Sequence, residues 1–70
     1  MSGHNALNVV DLVPGTRLRT NEGAIVELVE NPRDGVWLIC KFLQHDAEPD
    51  MVSEVEQPVF AQDIVGLADQ

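Results

Sequence analysis

NPRDGVWLICKF, residues 31–42, is the stretch whose reading decides the fold of this chain. Its first five residues hold a proline, an aspartate and a glycine. The next seven hold the only tryptophan and the only cysteine. Pro32 fits the first central position of a type I turn, and Gly35 fits the left-handed residue that often follows such a turn. VWLICKF (36–42) is rich in β-branched residues and has the length of a strand. Successive side chains of a strand point to opposite faces, so Trp37 and Leu38 cannot share one. Which of the two enters the core settles whether Trp37 is packing or contact surface.

Working outward, AIVELVE (24–30) precedes the turn and TRLRT (16–20) precedes NEG (21–23). Three residues separate Thr20 from Ala24, and Gly23 suits the left-handed position that closes such a loop. That pairing sets Leu18 opposite Val26 and Arg17 opposite Glu27. Pairing Asn31 with Gly35 sets Leu28 opposite Leu38, Val26 opposite Cys40 and Val29 opposite Trp37. One face then carries Leu18, Val26, Leu28, Leu38, Cys40 and Phe42, a continuous apolar surface that has to be the core. The other carries Arg17, Arg19, Ile25, Glu27, Val29, Trp37, Ile39 and Lys41, with Arg19, Ile25 and Lys41 expected in one row. MVSEVEQPVF (51–60) alternates more loosely, and its 53–57 portion fits a strand or a helical turn. IVGLA (64–68) is a short last strand. Residues 1–11 read as an N-terminal segment, expected to be mobile, and 12–70 as one small β-barrel domain.

Five short strands and two tight hairpins resemble the small SH3-like β-barrels of KOW and Tudor plan. VPGTRLRT is similar to their opening strand, GAIVELVE and GVWLICKF to the next two, and FAQDIVGL (60–67) to the 3₁₀ turn before the last strand. The resemblance spans residues 12–68 and implies an all-β, five-stranded barrel with a 3₁₀ turn before its last strand. It singles out no specific family. The chain lacks the glycine and basic charge of KOW domains, the several aromatics of a Tudor cage and the tyrosine row of proline-peptide binders. The resemblance therefore implies a plan, shared with non-catalytic accessory subunits of larger complexes, and no particular ligand.

Composition narrows the function. Seventy residues make one domain at most, and a chain this short buries only about 60% of its unfolded surface. One cysteine excludes an internal disulfide, and no cysteine–histidine spacing suits structural zinc. No run of about 18 apolar residues is present, and the first residues lack a basic, then apolar, leader pattern. A cytoplasmic protein without membrane contact is the expectation. The net charge of −8 is unevenly spread. Residues 1–41 carry five acids and all four bases, whereas 42–70 carry seven acids and no base. Phosphate backbones are repelled by such a surface, so nucleic acid is disfavoured as a partner.

Few residues invite chemistry. Asp46, Glu48 and Asp50 have the start of a calcium-loop spacing, but Met51 stands where that loop needs glycine and Gln57 where it needs glutamate. They read as a solvated loop, and no cofactor or metal is expected. Cys40, in a central strand, reads as a small buried hydrophobe. His4 and His45 have no serine or cysteine partner by spacing, and no phosphate loop or acyl-transfer motif occurs. The residues left are Trp37, Ile39 and Val29 beside Arg17, Arg19 and Lys41. Tryptophan and arginine are the residues most enriched at interface hot spots, and the aliphatics would form a large exposed patch if uncovered. The expected function is a non-catalytic protein-interaction module or accessory subunit, self-associating or binding another protein through that face. The alternatives are a KOW-type barrel with Arg17, Arg19, Arg33 and Lys41 on phosphates, and a small metal-binding or enzymatic domain on the loop acids.

Overall fold

The computed structural model describes residues 8–68. The expected mobility of residues 1–7 lies outside the described residues. The fold is all-β. Five strands, β1 (Arg17–Thr20), β2 (Ala24–Glu30), β3 (Trp37–His45), β4 (Gln57–Phe60) and β5 (Ile64–Leu67), form one antiparallel sheet in the order β4-β3-β2-β1-β5. The only helical elements among the described residues are 3₁₀ turns at Val9–Asp11, Pro49–Met51 and Ala61–Asp63. The last immediately precedes β5, where FAQDIVGL placed it. No helix among the described residues is long and apolar enough to cross a membrane.

The β1–β2 hairpin has the expected register: Arg17 faces Glu27, Leu18 faces Val26 and Arg19 faces Ile25. Gly23 takes φ 81°, and the Thr20 hydroxyl accepts the backbone N–H groups of Glu22 and Ala24 at 3.3 and 3.2 Å. The β2–β3 hairpin corrects the expectation. Leu28 pairs with Cys40 and Val26 with Phe42, two residues along from the proposed register. The connection is longer than a tight turn because two residues, Arg33 (φ 65°) and Gly35 (φ 76°), take the left-handed conformation. Asp34 then accepts the N–H groups of Val36 and Trp37 at 2.9 and 3.0 Å. A slip of two leaves every side chain on its face, so the core is the expected one.

That core is Leu18, Val26, Leu28, Leu38 and Cys40, each no more than 1% exposed, joined by Val59 and Ala61. Phe42 is partly buried against it, with Val9, Leu12, Ile64 and Leu67. Residues of all five strands thus converge on one cluster, which requires the sheet to curl. Register shifts supply the bend: Leu43 is extra in β3, Val29 in β2, and β1 shifts against β5 between Arg19 and Thr20. The expected barrel is nevertheless not closed. Among the described residues β4 pairs only with β3 and β5 only with β1. The connection from Phe60 to Ile64 is the short 3₁₀ turn, whose Ala61 N–H donates to the Val36 carbonyl at 2.8 Å. Residues 51–56, read as a strand or a helical turn, lie outside the ladder: Met51 ends the 3₁₀ turn Pro49–Met51, and β4 begins only at Gln57.

One anchor was not foreseen. The Asn31 amide donates to the carbonyls of Val9, Val10 and Leu12 at 2.9, 3.3 and 2.9 Å, while its own oxygen accepts the Arg33 N–H at 2.9 Å. It ties the first described residues to the β2–β3 connection, where Val9 and Leu12 cover the core. Replacing Asn31 with alanine removes these bonds; the half-buried carbonyls of Val10 and Leu12 lose their side-chain donor, while that of Val9 keeps the Leu12 N–H at 3.3 Å. The expected loss is about 1–3 kcal/mol in urea unfolding, with amide exchange rising first at residues 8–12. Unchanged stability would show the anchor to be dispensable.

Candidate functional site

Leu38 and Cys40 face the core, so Trp37, Ile39 and Lys41 of β3 face the other way. The β3–β4 register sets a neighbour beside each apolar one: Trp37 faces Phe60 and Ile39 faces Pro58, while the core pair Leu38 and Val59 lies between them on the opposite side. The rings of Trp37 and Phe60 stack with centroids 4.1 Å apart and planes 22° apart. Both remain substantially exposed, at 37% and 42%. The hydrogen bonds from Val36 and Trp37 to Asp34 fix the backbone where β3 begins. They also hold the Asp34 carboxyl below its usual value of 3.8, the bond from Trp37 contributing most.

The remaining expected contact residues divide. Arg17 of β1 and Lys41 of β3 flank Glu27 of β2 in one cross-strand row. Lys41 also meets the exposed Glu54 at 3.5 Å. Arg19 stands beside Ile25, one pair nearer the β1–β2 turn, and Ile25 faces Gln44 rather than Lys41, which corrects the expected row. Val29 sits half-buried in the β2 bulge. Trp37 and Ile39 therefore share an apolar strip with Phe60 and Pro58 of β4, two residues the sequence reading did not include. Their signal was present: a strand beginning at Gln57 puts Val59 inward and Pro58 and Phe60 outward.

A cleft of about 300 Å³ opens beside this strip. Trp37, Phe42, Pro58 and Phe60 form its apolar walls. The β1–β2 turn supplies Asn21 and Glu22, and the 3₁₀ turn before β5 supplies Asp63. The Asn21 N–H donates to the Asp63 carbonyl at 2.8 Å and its side-chain amide reaches the Asp63 carboxylate at 3.4 Å. That couples the two turns. His45 stands behind Glu22. Because Leu43 is an extra residue in β3, the His45 side chain turns inward, where its Nε2 lies 3.5 Å from Glu22 and its Nδ1 accepts the Glu48 N–H at 3.1 Å. The ring also stacks against Phe42, centroids 5.8 Å apart.

With this geometry in place the chain was compared with known proteins. No family model, no curated protein and no solved structure matches it.

The other chemical candidates are dispersed. Among the described residues no three His, Cys, Asp or Glu side chains are grouped as metal ligands. Arg33, expected on phosphates in the KOW reading, lies in the β2–β3 connection, away from the row of Arg17 and Lys41. Cys40 is fully buried and its thiol is pushed up to about 11 by desolvation, so it is protonated at neutral pH and inert as a nucleophile.

Two predictions follow from these environments. Ellman's reagent leaves Cys40 unmodified in the native protein and reacts once denaturant exposes it. Rapid native labelling would contradict the burial. For Asp34, the folded value lies below 3.8, so its bonds to Val36 and Trp37 are fully present above that value and are lost as pH falls through the depressed one. An NMR titration should give an Asp34 midpoint below 3.8, with the Trp37 amide shift following it. A midpoint at or above 3.8 would remove the assigned role.

Proposed function

We propose that this chain is a non-catalytic protein-interaction module or accessory subunit of SH3-like plan, with its contact surface centred on Trp37 and Phe60. The fold assignment is supported by the order β4-β3-β2-β1-β5 with a 3₁₀ turn before β5, which is the plan those barrels share. The functional reading is carried by one observation. Two large aromatic side chains stack on each other across β3 and β4, on the face away from the core, and both stay more than a third exposed. Exposed aromatics in contact with further apolar residues, here Ile39 and Pro58, are the composition of an interface centre rather than of an ordinary surface. The polar row of Arg17, Glu27 and Lys41 lies on the same face and suits a rim.

The proposal is tested by truncation. Trp37→Ala is expected to stay folded, losing about 1–2 kcal/mol with its stacking partner, and to lose the proteins that the immobilised wild-type chain captures. Val65→Ser, at an exposed position on β5, is expected to keep them. If self-association is the role, the wild-type protein sediments as a dimer and Trp37→Ala as a monomer. Retained capture and unchanged mass in Trp37→Ala, or outright unfolding of that variant, would sink the reading.

A further inference from the structure

We propose that the cleft beside Trp37 is a subsite for the guanidinium group of an arginine on a basic partner polypeptide. This rests on the reading of the Trp37 face as a contact surface and adds the chemistry of what enters it.

The chain has one tryptophan, two phenylalanines and no tyrosine, and all three aromatic side chains line this cleft. Their faces carry negative quadrupole density and attract a cation placed over them. The charged residues on the lining are Glu22 and Asp63, both acids; no lysine or arginine contributes to it. Glu22 meets His45 on one side and Asp63 meets Asn21 on one side. A carboxylate accepts about four hydrogen bonds, so each keeps sites for an incoming donor. Two of the chain's bases, Arg17 and Lys41, are in the row with Glu27, and the chain as a whole is at −8. An anionic occupant is repelled both locally and at long range, whereas a basic one is steered in.

Size and hydration select arginine. At about 300 Å³ the cleft is at the lower limit of small-molecule sites and suits one long side chain. Entry between aromatic walls strips water from the cation. A guanidinium is more weakly hydrated than an ammonium, stacks flat on aromatic rings and forks onto a carboxylate. A lysine ammonium gives up more hydration for a single point contact.

The experiment uses the full chain and three probes: acetyl-Ala-Arg-Ala-amide, its lysine counterpart, and its citrulline counterpart, which keeps the shape of arginine without the charge. Binding is followed by Trp37 fluorescence and by amide shifts. The arginine peptide is expected to bind roughly three- to tenfold more tightly than the citrulline peptide, and more tightly than the lysine peptide. Its shifts should centre on residues 20–22, 37, 60 and 63. The isosteric Asp63→Asn, checked for an unchanged melting temperature, should remove much of the arginine advantage. Equal binding of arginine and citrulline, preference for lysine, shifts centred elsewhere, or no binding of any peptide would each overturn the assignment. If that happens while Trp37→Ala still abolishes capture, the contact surface stands and only the ligand chemistry falls.

Discussion

Leu38 has to be inside, and most of the structure is a consequence. It pairs with Val59 across β3 and β4 on the core side. In a pleated sheet the neighbours of an inward pair are outward pairs. Trp37 beside Phe60 and Ile39 beside Pro58 are therefore placed on the open face by the same register that buries Leu38. To bury Trp37 instead, β3 would have to slip by one residue, and that slip would bring Leu38 and Cys40 into water together. Neither could be compensated by one indole. The exposed aromatic pair is the complement of the core rather than a defect in it.

The second constraint is size. With five strands of four to nine residues and no disulfide, the sheet can bury enough apolar surface only by folding over itself. The bulges do this at three places, and each has a side effect. The extra Leu43 brings His45 to the inside of β3 and into contact with Phe42 and Glu22. The extra Val29 shifts the pairing beyond it, so that Glu30 rather than Val29 faces Ile39. The shift of β1 against β5 brings Ile64 beside Thr20, close to the coupling of Asn21 with Asp63. Among the described residues the curl stops short of hydrogen-bonded closure and β4 pairs only with β3, and the cleft is lined by residues of that strand and of the two turns coupled by Asn21.

The parts of this fold that were legible in the sequence are those set by two-residue periodicity and by a short loop. Thr20, Gly23 and Ala24 define one hairpin completely, because a three-residue loop leaves little choice of register. The core face of β2 and β3 was also legible, but for a weaker reason: the register between them was wrong by two, an even number, and alternation forgives an even error. What escaped was whatever depends on a single inserted residue or on one unusual backbone angle. No periodicity marks Leu43 as extra, so His45 read as a loop residue. Arg33 carries no signal for φ 65°, because left-handed geometry is expected of glycine or asparagine. The amide of Asn31 bonds to residues 19 to 22 positions away, and such a contact has no local signature. The outward-facing Trp37 was readable; its partner Phe60 follows from a strand starting at Gln57, but the loosely alternating residues 51–56 hid that start.

The uneven charge gains meaning from this geometry. Of the seven acids in the base-free second half, five (Asp46, Glu48, Asp50, Glu54 and Glu56) lie in the connection from β3 to β4, and Asp63 lies in the 3₁₀ turn before β5. Three of the four bases lie on β1 and β3, within the central three strands. The outer face carries the mixed row of Arg17, Glu27 and Lys41 and the aromatic strip, and beside the strip opens a cleft that also reaches Thr20, Phe42 and Val59 of the core side and whose charged lining residues are acids. In the proposed reading, the aromatic pair supplies the contact area, and the acids on both sides of it favour a partner that brings positive charge.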